Sequence, residues 1–348
     1  MTALEQVWYG ESAGARIGRA ALWPAEQVYA AAVRLRGALY DRALLETLSA
    51  PLPVLAIGNL SVGGTGKTPI AAWAVSRLRD RGAHPAVVLR GYGGDEPLVH
   101  EILNPGTPVL CDSDRVRGAR TARSAGADCV VLDDAFQHRR IARTADWVLI
   151  SAERFTSTTH MLPAGPLREP LAALARADVA IVTRKVASTT EAQRVAERIE
   201  SMIHVGTAVV HLAPSHFVDA HDETSRPLDA VRGARVVAVA AVGEPEAFFA
   251  QLRELGARDV QGIAYRDHHA FTAADVARLA RAAAQADAVV CTLKDAVKLA
   301  PQWTPRAVPL WYVSQRAEVE HGAHLLDASL AHVLAARTST PSTAGATG

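Results

Sequence analysis

Residues 61–68 of the chain have the sequence SVGGTGKT, between an apolar segment at 53–58 and a helix-favouring segment at 69–81. In this setting glycines let successive backbone N–H groups turn towards one anion, and the positive end of the following helix adds to the attraction. The lysine reaches the outer phosphates of a nucleotide, and the threonine hydroxyl ligates magnesium. The stretch therefore predicts a phosphate-binding loop. Its members are Gly63, Gly64, Thr65, Gly66, Lys67 and Thr68.

This match is one residue short of the full phosphate-loop pattern, because Ser61 stands where the pattern has glycine. The alternative is a tight strand-to-helix turn that carries a solvent-exposed lysine. Nucleotide binding is favoured because the strand, the helix and the Gly-Lys-Thr sequence are all present. The loop predicts binding of ATP or GTP but does not identify a reaction.

Length and charge set further limits. With 348 residues the chain exceeds the size at which one core keeps growing, so we expect two lobes. A net charge of +1 gives no basic excess, so we expect no nucleic-acid partner. Cys111, Cys129 and Cys291 lack the spacing of metal ligands or of a disulfide framework, so we expect no disulfide partner and a reducing cytosol.

The N-terminal segment, 1–45, is predicted to be amphipathic and helical. Residues 16–42 mix aromatic and aliphatic side chains with arginines, and the chain has no apolar run long enough to span a bilayer. Two interpretations stay open. The helix lies on an anionic membrane surface, or it packs against its own domain.

Strands and helices alternate after the phosphate loop, and the predicted strands carry no polar alternation. This order predicts an α/β fold of the P-loop NTPase type, with a mainly parallel sheet and helices on both faces. A second alternation from about residue 235 predicts a second, smaller α/β lobe. The predicted parts are a P-loop kinase domain at 46–205, a linker at 206–232, the second lobe at 233–336 and a disordered tail at 337–348.

The apolar strand 129–133 ends at Asp133, and Asp134 follows it. This is the form of a Walker B element, in which a strand delivers a carboxylate beside the metal that bridges the outer phosphates. Gln137 and His138 follow within one turn, where they are placed to contact the metal shell or the nucleotide. For Asp134 the alternative is an acidic helix N-cap.

Phosphoryl transfer also needs a group that orients the acceptor. Asp95 could take the proton of a hydroxyl, and Arg115 could hold a phosphate. His268 could partner a carboxylate of the first lobe if the lobes close over the nucleotide. From the residues alone, each of these is also compatible with an ordinary turn or surface position.

Taken together, several motifs resemble the tetraacyldisaccharide 4′-kinase family of lipid A biosynthesis. The resemblance runs from about Trp8 to about Lys298. The motifs are Gly58-Asn59 with the phosphate loop, Arg90-Gly91-Tyr92-Gly93-Gly94, Gly94-Asp95-Glu96-Pro97, Asp133-Asp134-Ala135-Phe136-Gln137-His138, the stretch 162–169, Val242-Gly243-Glu244-Pro245, Asp267-His268-His269 and Lys294-Asp295-Ala296-Val297-Lys298.

The resemblance implies transfer of the ATP γ-phosphate to the 4′-hydroxyl of an acylated glucosamine disaccharide 1-phosphate, with magnesium, at the cytoplasmic face of the inner membrane. It implies that Asp95 is the general base, assisted by His268, and that Thr68, Asp133 and Asp134 serve the metal. The remaining cleft residues that it implies are Tyr92, Arg115, Gln137, His138, Arg168 and Glu169.

The chain also departs from the family pattern. Members usually carry an extra hairpin between the Arg-Gly-Tyr-Gly turn and Asp95, whereas here the two motifs share Gly94. A nucleotide-binding pseudo-kinase therefore stays open. A partition-type ATPase is disfavoured because Val62 occupies the position of its signature lysine, and a metal-delivery GTPase is disfavoured because no cluster with ligand spacing accompanies the loop.

Overall fold

The fold is that of a computed structural model, which describes residues 3–91, 94–155, 160–304 and 308–338. The α-helices in these ranges are α1 Ala3–Tyr9, α2 Ala13–Asp41, α3 Lys67–Arg79, α4 Asp95–Leu103, α5 Arg115–Ser124, α6 Thr189–Ile203, α7 Pro245–Glu254, α8 Ala273–Ala282, α9 Leu293–Leu299 and α10 Ala323–Thr338. The strands are β1 Val54–Asn59, β2 Pro85–Leu89, β3 Val109–Cys111, β4 Cys129–Asp133, β5 Ala145–Ser151, β6 Val179–Arg184, β7 Thr207–Asp219, β8 Ser225–Arg226, β9 Arg235–Ala240, β10 Asp259–Ala264, β11 Ala288–Thr292 and β12 Leu310–His321.

The described strands form one sheet in the order β10-β9-β11-β12-β7-β6-β5-β1-β4-β2-β3, with β8 paired to β7. Neighbouring strands are parallel, except that β7 runs antiparallel to β12 and to β8. The predicted α/β fold with a mainly parallel sheet is therefore confirmed.

Strands β1–β6 form the first half of this sheet and strands β9–β12 the second half, with β7 between them. Helices cover both faces of the first half, as expected for a parallel sheet whose strands are mostly buried. On one face, Leu55 and Ile57 of β1 pack in a cluster with α3 and α10. On the other face, Val54 and Ala56 pack with α5. Successive residues of β1 thus pack on opposite faces of the sheet. The carboxyl end of β1 lies at the edge of the sheet where the phosphate loop follows.

Strand β7 lies where the sequence predicts a linker, within 206–232. Its residues 207–211 pair with β6, and most of its length pairs with β12 of the second half. Val209, Val210 and Leu212 are buried, which explains why this stretch is a sheet strand rather than an irregular connection. The two halves share one sheet, and the division of the chain into two lobes stays a prediction.

The antiparallel pairing of β7 with β12 reverses the strand direction between the halves. The first part of β7 pairs with β6. The last part of β7 pairs with the start of β12, and β11 pairs with that same part of β12. The halves are therefore offset along β7. As a result the carboxyl ends of their strands face each other.

Helix α4 follows the Arg-Gly-Tyr-Gly motif and was not predicted from the sequence. Asp95 is its first residue, and Gly94 precedes it with a φ of 75°. Asp95 and Glu96 lie in the first turn, where acidic side chains interact favourably with the positive helix end. Asp95 therefore lies in a helix and not in an ordinary turn, which was the alternative that the residues alone left open.

Six further elements, β5, β6, β8, β12, α9 and α10, were not predicted from the sequence. Strand β5 is entirely buried, and β12 is long and only partly buried. Helix α10 extends to Thr338, so residues 337 and 338 are helical rather than part of a tail. The rest of the predicted tail, 339–348, lies outside the described residues.

The predicted N-terminal helical segment consists of α1 and α2. The Ser12 hydroxyl accepts a hydrogen bond from the Ala15 N–H and caps α2. One side of α2 is packed against the protein, where Ala15, Glu26 and Ala30 are buried. Among the described residues, no helix has the length and apolar character needed to cross a membrane.

Candidate active site

A cavity of about 810 Å³ lies between the facing strand ends. The first half contributes the phosphate loop together with Glu96, Asp134 and Arg168. The second half contributes residues 242–245 after β9, 264–268 after β10 and 292–294 around the start of α9. Its volume lies in the range of small-molecule sites.

All six predicted members of the phosphate loop line this cavity. The loop ends at Gly66, which has a φ of 83°, and α3 begins at Lys67. The backbone conformation at Gly66 favours glycine, and a Cβ atom here would also force the Leu212 side chain to move. The start of α3 therefore faces the cavity with its positive end.

Asp134 lies between two cations of the cavity wall. Its Oδ1 is 3.5 Å from Nζ of Lys67 and 3.2 Å from Nη1 of Arg168. Burial by itself would raise the pKa of Asp134, but Lys67 and Arg168 hold it below its usual value. Asp134 thus forms an ion pair with the phosphate-loop lysine, and its assignment as a metal ligand stays a prediction.

Asp133 lies beside the first residues of α3. The Thr68 hydroxyl donates a hydrogen bond of 3.0 Å to Oδ2 of Asp133, and Nε2 of the buried His100 lies 3.0 Å from the same oxygen. The other oxygen, Oδ1, is buried without a hydrogen-bond partner. The hydroxyl and the free carboxylate oxygen are hard donors of the kind that Mg²⁺ prefers.

No group of three or more His, Cys, Asp or Glu side chains suited to a metal ion occurs in the described part of the chain. Magnesium in nucleotide sites does not need one, because it is held by one or two carboxylates together with substrate phosphates and water. Thr68 and Asp133 fit this arrangement.

Asp95 and His268 face each other from opposite halves. Oδ1 of Asp95 is 3.3 Å from Nδ1 of His268, and Oδ2 is 3.4 Å from Nζ of Lys298. Burial opposes ionisation of Asp95, but the His268 hydrogen bond and the charges of Lys294 and Lys298 lower its pKa to about 2. The same hydrogen bond raises the pKa of His268.

The two members of this pair differ in exposure. The Asp95 side chain is 1% exposed, whereas that of His268 is 34% exposed and lines the cavity. Of the pair, His268 is therefore in contact with the space that a substrate would enter, and Asp95 lies behind it.

A comparison with known proteins decides the family. The family model described as tetraacyldisaccharide-1-P 4′-kinase matches residues 18–100 and 93–335. The chain belongs to this family. The predictions of the family and of a kinase are confirmed. The two matched segments overlap at residues 93–100.

Individual relatives of the family span nearly the whole chain. A tetraacyldisaccharide 4′-kinase of Anaeromyxobacter dehalogenans is 40% identical, with 95% of each chain covered. One of Halorhodospira halophila is 38% identical and covers 88% of this chain and 90% of its own. A crystal structure of LpxK from Aquifex aeolicus in complex with ATP has the same fold, with a TM-score of 0.70, 24% identity, and 90% of this chain and 99% of that chain covered.

The remaining cleft residues predicted from the family pattern lie near the site but differ in what they contact. Arg168 lines the cavity. Arg115 is 2% exposed and donates to the Asp112 carbonyl, while Gln137 donates to the Asn59 carbonyl. Burial and nearby arginines lower the pKa of His138 to about 4. None of these three is among the described residues that line the cavity.

Two predicted cleft residues need separate mention. Glu169 is buried and accepts a hydrogen bond of 2.9 Å from Nη2 of Arg176, so it does not face the cavity. Tyr92 lies outside the described residues. Assignment of both to the substrate cleft of the kinase stays a prediction.

Several site residues were not assigned a role from the sequence. Lys185 donates a hydrogen bond of 2.7 Å to the Gly64 carbonyl and pairs with Glu244. Arg154 contacts the Gly243 carbonyl and Oε1 of Glu5 in α1. These residues follow strands β5, β6 and β9 at the cavity edge, and position at a strand end is the signal that could have found them.

Proposed function

We propose that the chain transfers the γ-phosphate of ATP to the 4′-hydroxyl of a tetraacyl glucosamine disaccharide 1-phosphate, which gives lipid IVA in lipid A biosynthesis. The observation that carries this proposal is the position of the Asp95–His268 pair, which faces the phosphate loop across one cavity. Such an arrangement brings a phosphate donor and a proton acceptor into reach of the same hydroxyl.

In this proposal the phosphate loop binds the ATP phosphates. Lys67 reaches the outer phosphates and is held in place by Asp134. Thr68 and Asp133 would hold Mg²⁺, which would neutralise charge on the phosphates when bound. Arg168 adds a second cation to the same wall of the cavity.

The acceptor hydroxyl loses its proton to Asp95 and His268, which act as one unit. The acceptor oxygen forms a bond to the γ-phosphorus while the bond between that phosphorus and the β–γ bridging oxygen breaks, and ADP leaves. Oδ2 of Asp95 makes no hydrogen bond in the described structure, but it is buried and lies 3.4 Å from Nζ of Lys298. His268 holds the other oxygen and is the member of the pair that touches the cavity.

Helix α2 supports peripheral association with the cytoplasmic face of the inner membrane. Ile17, Val28 and Leu35 are 70%, 74% and 62% exposed. At 3.6 residues per turn they lie within about 20° of one another around the helix axis. Arg16, Arg34 and Arg36 accompany this apolar stripe, as expected for a helix that lies on an anionic surface.

The test is transfer of labelled γ-phosphate from Mg-ATP to a detergent-dispersed tetraacyl disaccharide 1-phosphate. We expect the label to move to the lipid with the unchanged protein, and we expect Lys67→Ala and Asp95→Asn to abolish most of this transfer. ATP binding without any transfer would overturn the proposal and would favour a nucleotide-binding protein that does not turn over. Undiminished transfer by folded Asp95→Asn protein would overturn the assignment of the base.

A further inference from the structure

Lys294, the second residue of α9, lies beside His268 and has no role in the reaction proposed above. Its Nζ is 2.9 Å from Nε2 of His268 and 3.4 Å from Oδ1 of Asp267. The other ring nitrogen of His268, Nδ1, is 3.3 Å from Oδ1 of Asp95. The imidazole is therefore contacted at both nitrogens, by a cation on one side and by an anion on the other.

This geometry determines where the ring proton lies. A lysine ammonium group only donates hydrogen bonds, so Nε2 of His268 must carry the lone pair. A neutral ring then carries its proton on Nδ1, which donates to Asp95. In the other tautomer an N–H would face the ammonium and a lone pair would face the carboxylate, so both contacts would be unfavourable.

We propose that Lys294 is a positioning residue, which holds His268 in the Nδ1–H tautomer and thereby orients the Asp95 carboxylate. This inference rests on the proposed function and deepens it. Lys294 is not expected to take the substrate proton, since it acts through His268. The contact also requires neutral His268, because protonation of Nε2 would place two donors against each other.

The first turn of α9, which carries Lys294, is fixed by buried hydrogen bonds. Asp295, the next residue of α9, is fully buried and accepts hydrogen bonds from the Ala241 N–H and the Thr292 hydroxyl. Lys298 lies one helical turn further and pairs with both Asp295 and Asp95. The two lysines of α9 therefore contact different members of the pair, which allows their effects to be separated.

The charged groups that face His268 shift its pKa in opposite directions. The side chains of Asp95 and Glu96 on α4 approach it, the latter with Oε1 at 3.9 Å, and Asp267 lies 4.0 Å away on the same loop. The hydrogen bond that His268 donates to Asp95 raises the pKa of His268, and the Lys294 charge lowers it. Loss of Lys294 should therefore raise this pKa further and release the tautomer.

The test determines the tautomer and the pKa of His268 from the ¹⁵N signals of its ring, in full-length protein without substrate. The protein is labelled with ¹⁵N-histidine, and the His268 signals are assigned by their loss in His268→Gln. In unchanged protein above the His268 pKa, we expect the Nδ1–H tautomer. In Lys294→Met we expect a mixture of tautomers and an upward pKa shift of about one unit. Lys294→Arg, which keeps a donor-only cation, should restore the tautomer.

Two comparison variants separate a local effect from a general one. Lys298→Met removes a cation that contacts Asp95 but not the ring, so the His268 tautomer should persist. Arg281→Met removes one positive charge from an exposed position of α8 and should leave the His268 signals unchanged. An unaltered tautomer and pKa in folded Lys294→Met protein would overturn the proposal.

The activity readout is a comparison of kcat with the KM for ATP. Lys294→Met should lower kcat roughly 10- to 100-fold through misplacement of the base and leave the KM for ATP nearly unchanged. A rise in KM alone would contradict a positioning role. Because the nuclear magnetic resonance experiment needs no acceptor, it remains informative even if the proposed lipid substrate is wrong.

Discussion

Asp95 and His268 lie 173 residues apart in the chain, and their Oδ1 and Nδ1 atoms are 3.3 Å apart. They meet because the antiparallel pairing of β7 with β12 makes the carboxyl ends of the two halves face each other. A relative movement of the halves would separate the proposed base from its partner. The geometry of the base thus depends on the same arrangement of the two halves that shapes the cavity.

The first prediction concerns the phosphate-loop lysine. Lys67→Ala should weaken ATP binding and lower kcat/KM by about 10²-fold or more, because a cation aimed at the outer phosphates is lost. Binding is measured by calorimetry and turnover by the phosphate-transfer assay. Equal affinity and rate in the variant would contradict the assignment of the loop.

The second prediction concerns the metal. Asp133→Asn keeps the size of the side chain and its contact with Thr68, but it removes the negative charge. The Mg²⁺ concentration needed for half-maximal activity should rise roughly tenfold or more. A titration with Mg²⁺ at saturating ATP checks this. Ser151→Ala changes a hydroxyl that bonds Glu153 and should not alter the Mg²⁺ requirement.

The third prediction concerns the pH dependence of stability. The pKa of Asp95 is about 2 in the folded chain and 3.8 ordinarily, so its ionised form stabilises the fold above about pH 4. This contribution is lost as the pH falls from about 4 to about 2. The difference in unfolding free energy between the unchanged protein and Asp95→Asn should therefore be largest at neutral pH and shrink in acid.

His268 should show the opposite trend, because its pKa is raised above the ordinary 6.5. Its contribution is complete below that ordinary value and is lost as the pH rises through the folded-state pKa. Urea unfolding of His268→Gln across pH 5 to 9 measures the difference. A difference that grows towards alkaline pH would contradict the Asp95–His268 contact.

The fourth prediction concerns the contact between the halves at the phosphate loop. A Cβ atom on Gly243 would lie 2.3 Å from the Gly64 nitrogen. Gly243→Ala should therefore displace the loop and weaken ATP binding about tenfold or more, which corresponds to ~1.4 kcal/mol. Gly37→Ala is the control, since its Cβ would have only one side-chain atom at 4.0 Å. Equal ATP affinity in Gly243→Ala would contradict this packing.

The fifth prediction concerns the apolar stripe of α2. Replacement of Ile17, Val28 and Leu35 by serine should reduce co-sedimentation with anionic phosphatidylglycerol vesicles and leave the melting temperature nearly unchanged, because these side chains are exposed. Leu44, also exposed but outside α2, provides the control variant Leu44→Ser. Equal vesicle binding would leave α2 with a purely structural role.

Much of the fold could be predicted from local pattern. The pattern predicts strands at 259–264 and 288–292 and a helix at 245–255; β10 and β11 have these bounds, and α7 ends one residue earlier. These segments combine an apolar run with clear glycine, proline or capping signals at their ends. In contrast, the sequence predicts residues 207–218 to be extended but within a linker, because nothing local indicates that this stretch pairs with β6, β8 and β12.

The site was predicted unevenly for a similar reason. The phosphate loop, Asp133 and Asp134 are contiguous motifs whose chemistry is visible in the sequence. His100 and Lys185 acquire their contacts with the site through distant partners, Asp133 and Gly64. An isolated lysine or histidine carries no local signal for such a role.

The sequence by itself determined the phosphate loop, the acidic strand end, the α/β class and the family, because each depends on residues that are close together along the chain. Only the tertiary structure decided that the two halves share one sheet and that their strand ends oppose each other. That arrangement depends on hydrogen bonds of β7 to strands that precede and follow it by many residues. The physical reason is that strand pairing is non-local, so the direction of β12 against β7 leaves no trace in either segment alone.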